Sequence, residues 1–147
     1  MKNFILSIAT AMTLPLMAQT NVTDEPAFHS DDGKTVIKII DPELRALIKN
    51  TITEWNAGKI NSVDIARYVK GFDGLLAKHK GEKTEAVAQI LYAKENFYFD
   101  VLGDADTGAQ LLHQLAKDYP DTELGRGIGK ILKESAASSP AQKPPQP

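Results

Sequence analysis

The chain has 147 residues, enough for one domain and too few for two comfortable ones. Its 17 Lys and Arg stand against 19 Asp and Glu, a net charge of −2, so no basic excess exists to neutralise nucleic-acid phosphates or to form a polybasic membrane patch. It has no cysteine, which excludes disulfides, thiolate nucleophiles, Cys-ligated zinc, iron–sulfur clusters and lipid attachment through an N-terminal Cys.

Residues 1–18 have the layout of a signal peptide. Lys2 supplies the positive start, Phe4 to Leu14 an apolar run broken only by Ser and Thr, Pro15 a stop, and Ala18 a small residue at the expected cleavage site. The run is shorter than the roughly 20 residues of a membrane-spanning helix. Export to the periplasm or beyond is the localisation this predicts. Residues 19–35 are polar and turn-rich and read as a flexible lead, with a glycosylation sequon at Asn21-Val22-Thr23. The apolar segment Lys34–Ile40 is too short to tell strand from docking extension. A lone strand would have no partner, so docking onto helices is expected.

Five helices follow, and the predicted fold class is all-α. The first has Asp41 to cap it, Pro42 at its first position, a face of Leu44, Leu47, Ile48, Ile52 and Trp55, and Gly58 to end it. The second opens on Asn61 with Asp64 as a capping box, repeats Ile65, Val69, Phe72, Leu75 and Leu76, and closes on Lys78-His79-Lys80-Gly81. Gly71 and Gly74 within it mark close packing or a kink. The third starts at Thr84 and runs to Leu102. It is apolar around much of its circumference, the mark of a central helix. Four rings in eight residues, Tyr92, Phe97, Tyr98 and Phe99, cannot all face one way at 3.6 residues per turn, which makes them the candidate partner-binding surface. The fourth, with Asp106 as its cap, presents Ala109, Leu112, Leu115, Ala116 and Tyr119, with Leu111 at the edge of the stripe. Pro120 stops it. Thr122 caps the fifth, whose face is Leu124, Ile128, Ile131 and Leu132. Residues 36–137 thus form the helical domain, and residues 138–147, rich in Ser, Pro and Gln, should stay disordered. Short connections make consecutive helices antiparallel neighbours, in a compact bundle or a stack of helical hairpins.

The chemistry-bearing residues read mostly as structural. His29, His79 and His113 lie in the lead, at a helix end and off the apolar stripe of the fourth helix. None has a metal-spaced partner, and all read as surface histidines. Gly125, Gly127 and Gly129 alternate as in a phosphate cradle but follow no strand, which points to close helix packing. Asp100, Asp104 and Asp106 lack the glutamate of a calcium loop and read as turn and cap residues. No catalytic residue, cofactor or metal is predicted.

The stretch from Ala88 to Lys133 resembles a tetratricopeptide-type repeat, with Gly108, Leu112, Ala116 and Pro120 approximating the small–large–small–Pro series. Its Tyr-Pro-Asp-Thr turn is similar to those of periplasmic helical-repeat proteins, including the Tol-Pal-associated coordinator. The run from Leu75 to Thr122 also resembles the helical N-terminal extension of exported thioredoxin-like proteins. The chain departs from these patterns at Tyr92, Glu95 and Asn96, where the repeat has Trp, Leu and Gly, and in lacking a Cys-x-x-Cys. The resemblance implies stacked hairpins and a non-catalytic interaction or scaffold module of the envelope, bound to another exported protein. The alternatives are an accessory module for a thioredoxin-like redox protein, then a small carboxylate-using enzyme.

Overall fold

A computed structural model of the chain describes residues 26–29 and 36–138. The expected signal peptide 1–18, the sequon at Asn21 and the tail from 139 onward lie outside the described residues. Among those described, a ribbon of β1 (Ala27–His29) and β2 (Val36–Lys38) precedes α1 (Pro42–Asn56), α2 (Ser62–Lys78), α3 (Glu85–Asn96), a π-helical turn (Phe97–Val101), α4 (Ala105–Asp118) and α5 (Glu123–Ser138). The fold is all-α, a small helical bundle carrying one two-stranded ribbon.

The helices start where side chains can satisfy their orphan amides. Asp41 Oδ1 accepts from the Leu44 N–H at 2.8 Å, with Pro42 at the first helical position. The Asn61 and Asp64 side chains exchange hydrogen bonds with each other's backbone, closing the capping box. Thr84 stands at the N-cap of α3 but makes no side-chain capping bond. The cap of α4 is Asp104 rather than Asp106: its carboxylate accepts from both the N–H and the hydroxyl of Thr107, which hold it below the usual carboxylate range. Gly58 and Gly81 end α1 and α2 at φ +64° and +89°, the left-handed region that other residues rarely enter.

Helix α3 is central, as its all-round apolarity predicts. Val87 to Ala93 are buried without interruption. Each helix packs on the next, and α3 also reaches α5. Close approaches are set by missing side chains. A Cβ on Gly71 would lie 2.9 Å from Leu47 of α1, one on Gly108 would lie 2.5 Å from the Phe99 ring, and one on Gly125 would overlap the Tyr119 carbonyl oxygen. Gly74 meets nothing and marks no contact. The stripe of α4 is centred on Gly108, Leu111, Leu112 and Leu115, so Leu111 belongs to the core and not to its edge.

Of the segment Lys34–Ile40, the described residues Val36–Lys38 do have a strand partner. Phe28 pairs with Ile37 in an antiparallel register, so the lead read as flexible contributes β1. The docking expectation also holds. The Gln89 side chain of α3, itself buried, accepts from the Ile40 N–H at 2.8 Å and donates to the Lys38 carbonyl at 3.0 Å, standing in for a further strand. Ile39 and Phe28 are thereby sealed into the core.

Candidate functional site

The predicted third helix changes character after Asn96. The Leu102 N–H donates to the Phe97 carbonyl at 3.2 Å, an i→i−5 bond, and Asp104 N–H reaches back to Tyr98. A π-helical turn holds one more residue than an α turn, brings positions five apart onto one side, and occurs preferentially at functional sites. Asp100, five residues after Glu95, is near enough for its charge to act on the Glu95 carboxyl.

That turn forms one wall of an apolar cleft. The other walls are Phe28 of β1, Ile48 and Ile52 of α1 and Phe72 of α2, closed by Phe97 of the turn itself. The cavity is about 50 Å³, room for one apolar side chain, and widens to about 490 Å³ with its mouth. Trp55, on the predicted apolar face of α1, is 37 % exposed and lies on the cleft. Three polar residues line the cleft. The Thr51 hydroxyl donates to the Leu47 carbonyl and the Asn96 amide to the Tyr92 carbonyl, so both are engaged within their own helices. The Asp100 side chain makes no hydrogen bond or ion pair among the described residues.

The four candidate rings separate. Tyr92 and Phe97 are buried. Tyr92 meets Phe28 edge-on at 4.9 Å between centroids, so the ribbon covers it. Phe97 packs between Tyr68 and Phe72 of α2, at 6.0 and 5.8 Å, and keeps an edge on the cleft. Tyr98 and Phe99 are half-buried. The Lys94 ammonium stands 5.9 Å from the Tyr98 ring centroid, and Phe99 fills the space Gly108 leaves open. The rings do diverge, as helix geometry requires, and Phe97 is the one of the four on the cleft.

From sequence, Glu95 stands out only as a departure from the repeat pattern, with no role assigned to it. It is 6 % exposed and its side chain makes no hydrogen bond or ion pair among the described residues. Burial pushes its carboxyl up to about 8, and the negative charge of Asp100 adds to the rise. The Asp100 carboxyl, desolvated on one side although the residue as a whole is exposed, is raised as well. Glu95 does not line the cleft, so the two perturbed carboxyls do not converge on one cavity.

Several motifs resolve structurally. His79 is not a plain surface residue. Its Nε2 lies 3.3 Å from Asp41 Oδ2 and its Nδ1 3.2 Å from Glu82 Oε2, clasping the end of α2 to the cap of α1. Its two nitrogens face different carboxylates, and the described residues hold no group of three or more potential metal ligands. The first amides of α5 are met by side chains of the protein itself. Glu85 of α3 accepts from the N–H groups of Glu123 and Leu124 at 2.6 and 3.3 Å, and Thr122 Oγ1 accepts from Gly125 at 3.0 Å. The anion site at that helix start is filled by the protein's own carboxylate. No helix of the described residues is long and apolar enough to cross a membrane. Comparison with protein-family models, curated proteins and solved structures finds no match to this chain.

Proposed function

We propose that this protein is a non-catalytic interaction module of the bacterial envelope, which receives an apolar side chain of a partner protein in the cleft beside Trp55. The observation that carries the reading is the cleft itself. Its walls are apolar, one large aromatic stands exposed beside it, and its size suits a single anchoring side chain. Protein interfaces concentrate their binding energy in such anchors, and an exposed aromatic beside a hydrophobic cavity is costly unless something covers it.

The order of packing, each helix on the next with α3 reaching α5, supports reading the helices as stacked hairpins of the tetratricopeptide kind. Export rests on the sequence of residues 1–18 alone. A thioredoxin-like protein is one candidate partner within this proposal, and capture decides whether it is the one. The carboxylate-enzyme reading draws on the raised Glu95, but a general acid must reach its substrate, and Glu95 stands outside the cleft.

Trp55 is the chain's one tryptophan, so its fluorescence reports on the cleft directly. The wild type should retain a partner from an envelope fraction, with a blue shift of Trp55 emission on binding, and Trp55→Ala should lose that partner while keeping its helical signal. Retention of the same partners by Trp55→Ala would remove the cleft from the proposal.

A further inference from the structure

A second concavity, an open groove of about 750 Å³, runs between α4 and α5 and shares no residue with the apolar cleft. Its helices meet through small residues: a Cβ on Gly129 would lie 3.8 Å from Cβ of Ala116. Basic side chains line it from both helices. His113 and Lys117 stand four residues apart on α4. Arg126, Lys130 and Lys133 stand at the i, i+4, i+7 spacing on α5, which places them on one face. Glu134 is the one acidic residue of the lining, 3.9 Å from Lys130 in an exposed pair. Arg126 donates to the Asp121 carbonyl. The side chains of Lys117, Lys133 and His113 make no hydrogen bond or ion pair among the described residues.

Four permanent cations against one acid, in a chain of net charge −2, is a local concentration of positive charge and not a property of the whole surface. We propose that the α4–α5 groove is a docking site for an extended acidic peptide segment of a partner protein. The spacing favours this occupant. Arg126 and Lys130 are about 6 Å apart along the helix axis, close to the roughly 6.6–6.8 Å between alternate residues of an extended chain. Carboxylates at every second position therefore meet successive cations, and the open groove of about 750 Å³ has room for the peptide backbone. A compact anion such as phosphate is disfavoured because the first amides of α5 are already bonded to Glu85 and Thr122, leaving no backbone cradle. A duplex is disfavoured because the basic row on α5 spans only about 10 Å, a few phosphate spacings.

The test is fluorescence anisotropy of a labelled octapeptide of alternating Glu and Thr, with its Gln-for-Glu counterpart as control, titrated with the purified full chain. The acidic peptide should bind, weaken as salt is raised, and lose about tenfold in affinity with the double variant Lys130→Glu/Lys133→Glu. Both side chains are exposed, so the variant should keep its circular dichroism and melting temperature. Lys117→Glu, on the other helix, should weaken binding independently, and Trp55→Ala should leave it unchanged. The proposal is overturned by an absence of binding at low salt, by equal binding of the Gln peptide, or by unchanged affinity in the charge-reversed variants. Displacement by millimolar inorganic phosphate at constant ionic strength, equal affinity for a short DNA duplex, or loss with Trp55→Ala would each overturn it too.

Discussion

Glu95 sets up a pH dependence of stability opposite to that of an ordinary paired carboxylate. Its folded-state carboxyl is raised to about 8 from the ordinary 4.5 of a solvated glutamate. Between these values the unfolded chain has released the proton while the folded chain still holds it, so folding binds a proton and stability falls as pH rises. Each pH unit in that window costs about 1.4 kcal/mol. The full window is about 3.5 units, or about 5 kcal/mol by pH 8, of which about 3 kcal/mol is already lost at pH 7. Glu95→Gln keeps the shape and removes the titration. The two proteins should be within about 1 kcal/mol at pH 5, with the variant about 3 kcal/mol more stable at pH 7. Urea unfolding at pH 5, 6, 7 and 8, followed by circular dichroism, reads the difference. Titrating groups other than Asp100, whose charge Glu95 feels, are common to both chains and cancel. Parallel stability–pH curves for the two proteins would refute the reasoning and place the ionised carboxylate in contact with water.

Three further outcomes follow from packing. Leu115 is fully buried on α4, so Leu115→Ala should cost about 2–5 kcal/mol in chemical denaturation. Gly108→Ala should cost about 1–3 kcal/mol because its Cβ would press on the Phe99 ring, whereas Gly74→Ala, with open space, should gain about 0.5–1 kcal/mol; thermal melts of the two variants should move in opposite directions. Glu85→Ala removes the carboxylate that closes the start of α5 and should cost about 1–2 kcal/mol, with amide exchange accelerated first at Glu123 and Leu124.

Local signals predicted what local physics controls. Asp41-Pro42, the Asn61–Asp64 box, Gly58 and Gly81 act on amides and carbonyls within a few residues, so their roles were legible as strings and the helix limits follow them closely. The misplaced cap of α4 is instructive. Asp104 and Asp106 are the same residue type two apart, and the choice turned on where the π-helical turn delivered the chain. Nor could a three-residue strand in a polar lead be read from sequence, because Phe28 gains its stability from Tyr92, 64 residues away, and not from its neighbours.

The sequence by itself determined the helix count, the helix faces and the central place of α3, because periodic burial and capping are written at spacings of three and four residues. Only the tertiary structure decided which rings lie inside, which carboxyl loses water and where the cavities open. Those outcomes depend on how helices distant in sequence meet. Gly71 admits Leu47 and Gly108 admits Phe99, while Trp55 at the end of α1 remains exposed. The apolar cleft and the basic groove exist only between elements, and no periodicity along one element encodes the space between two.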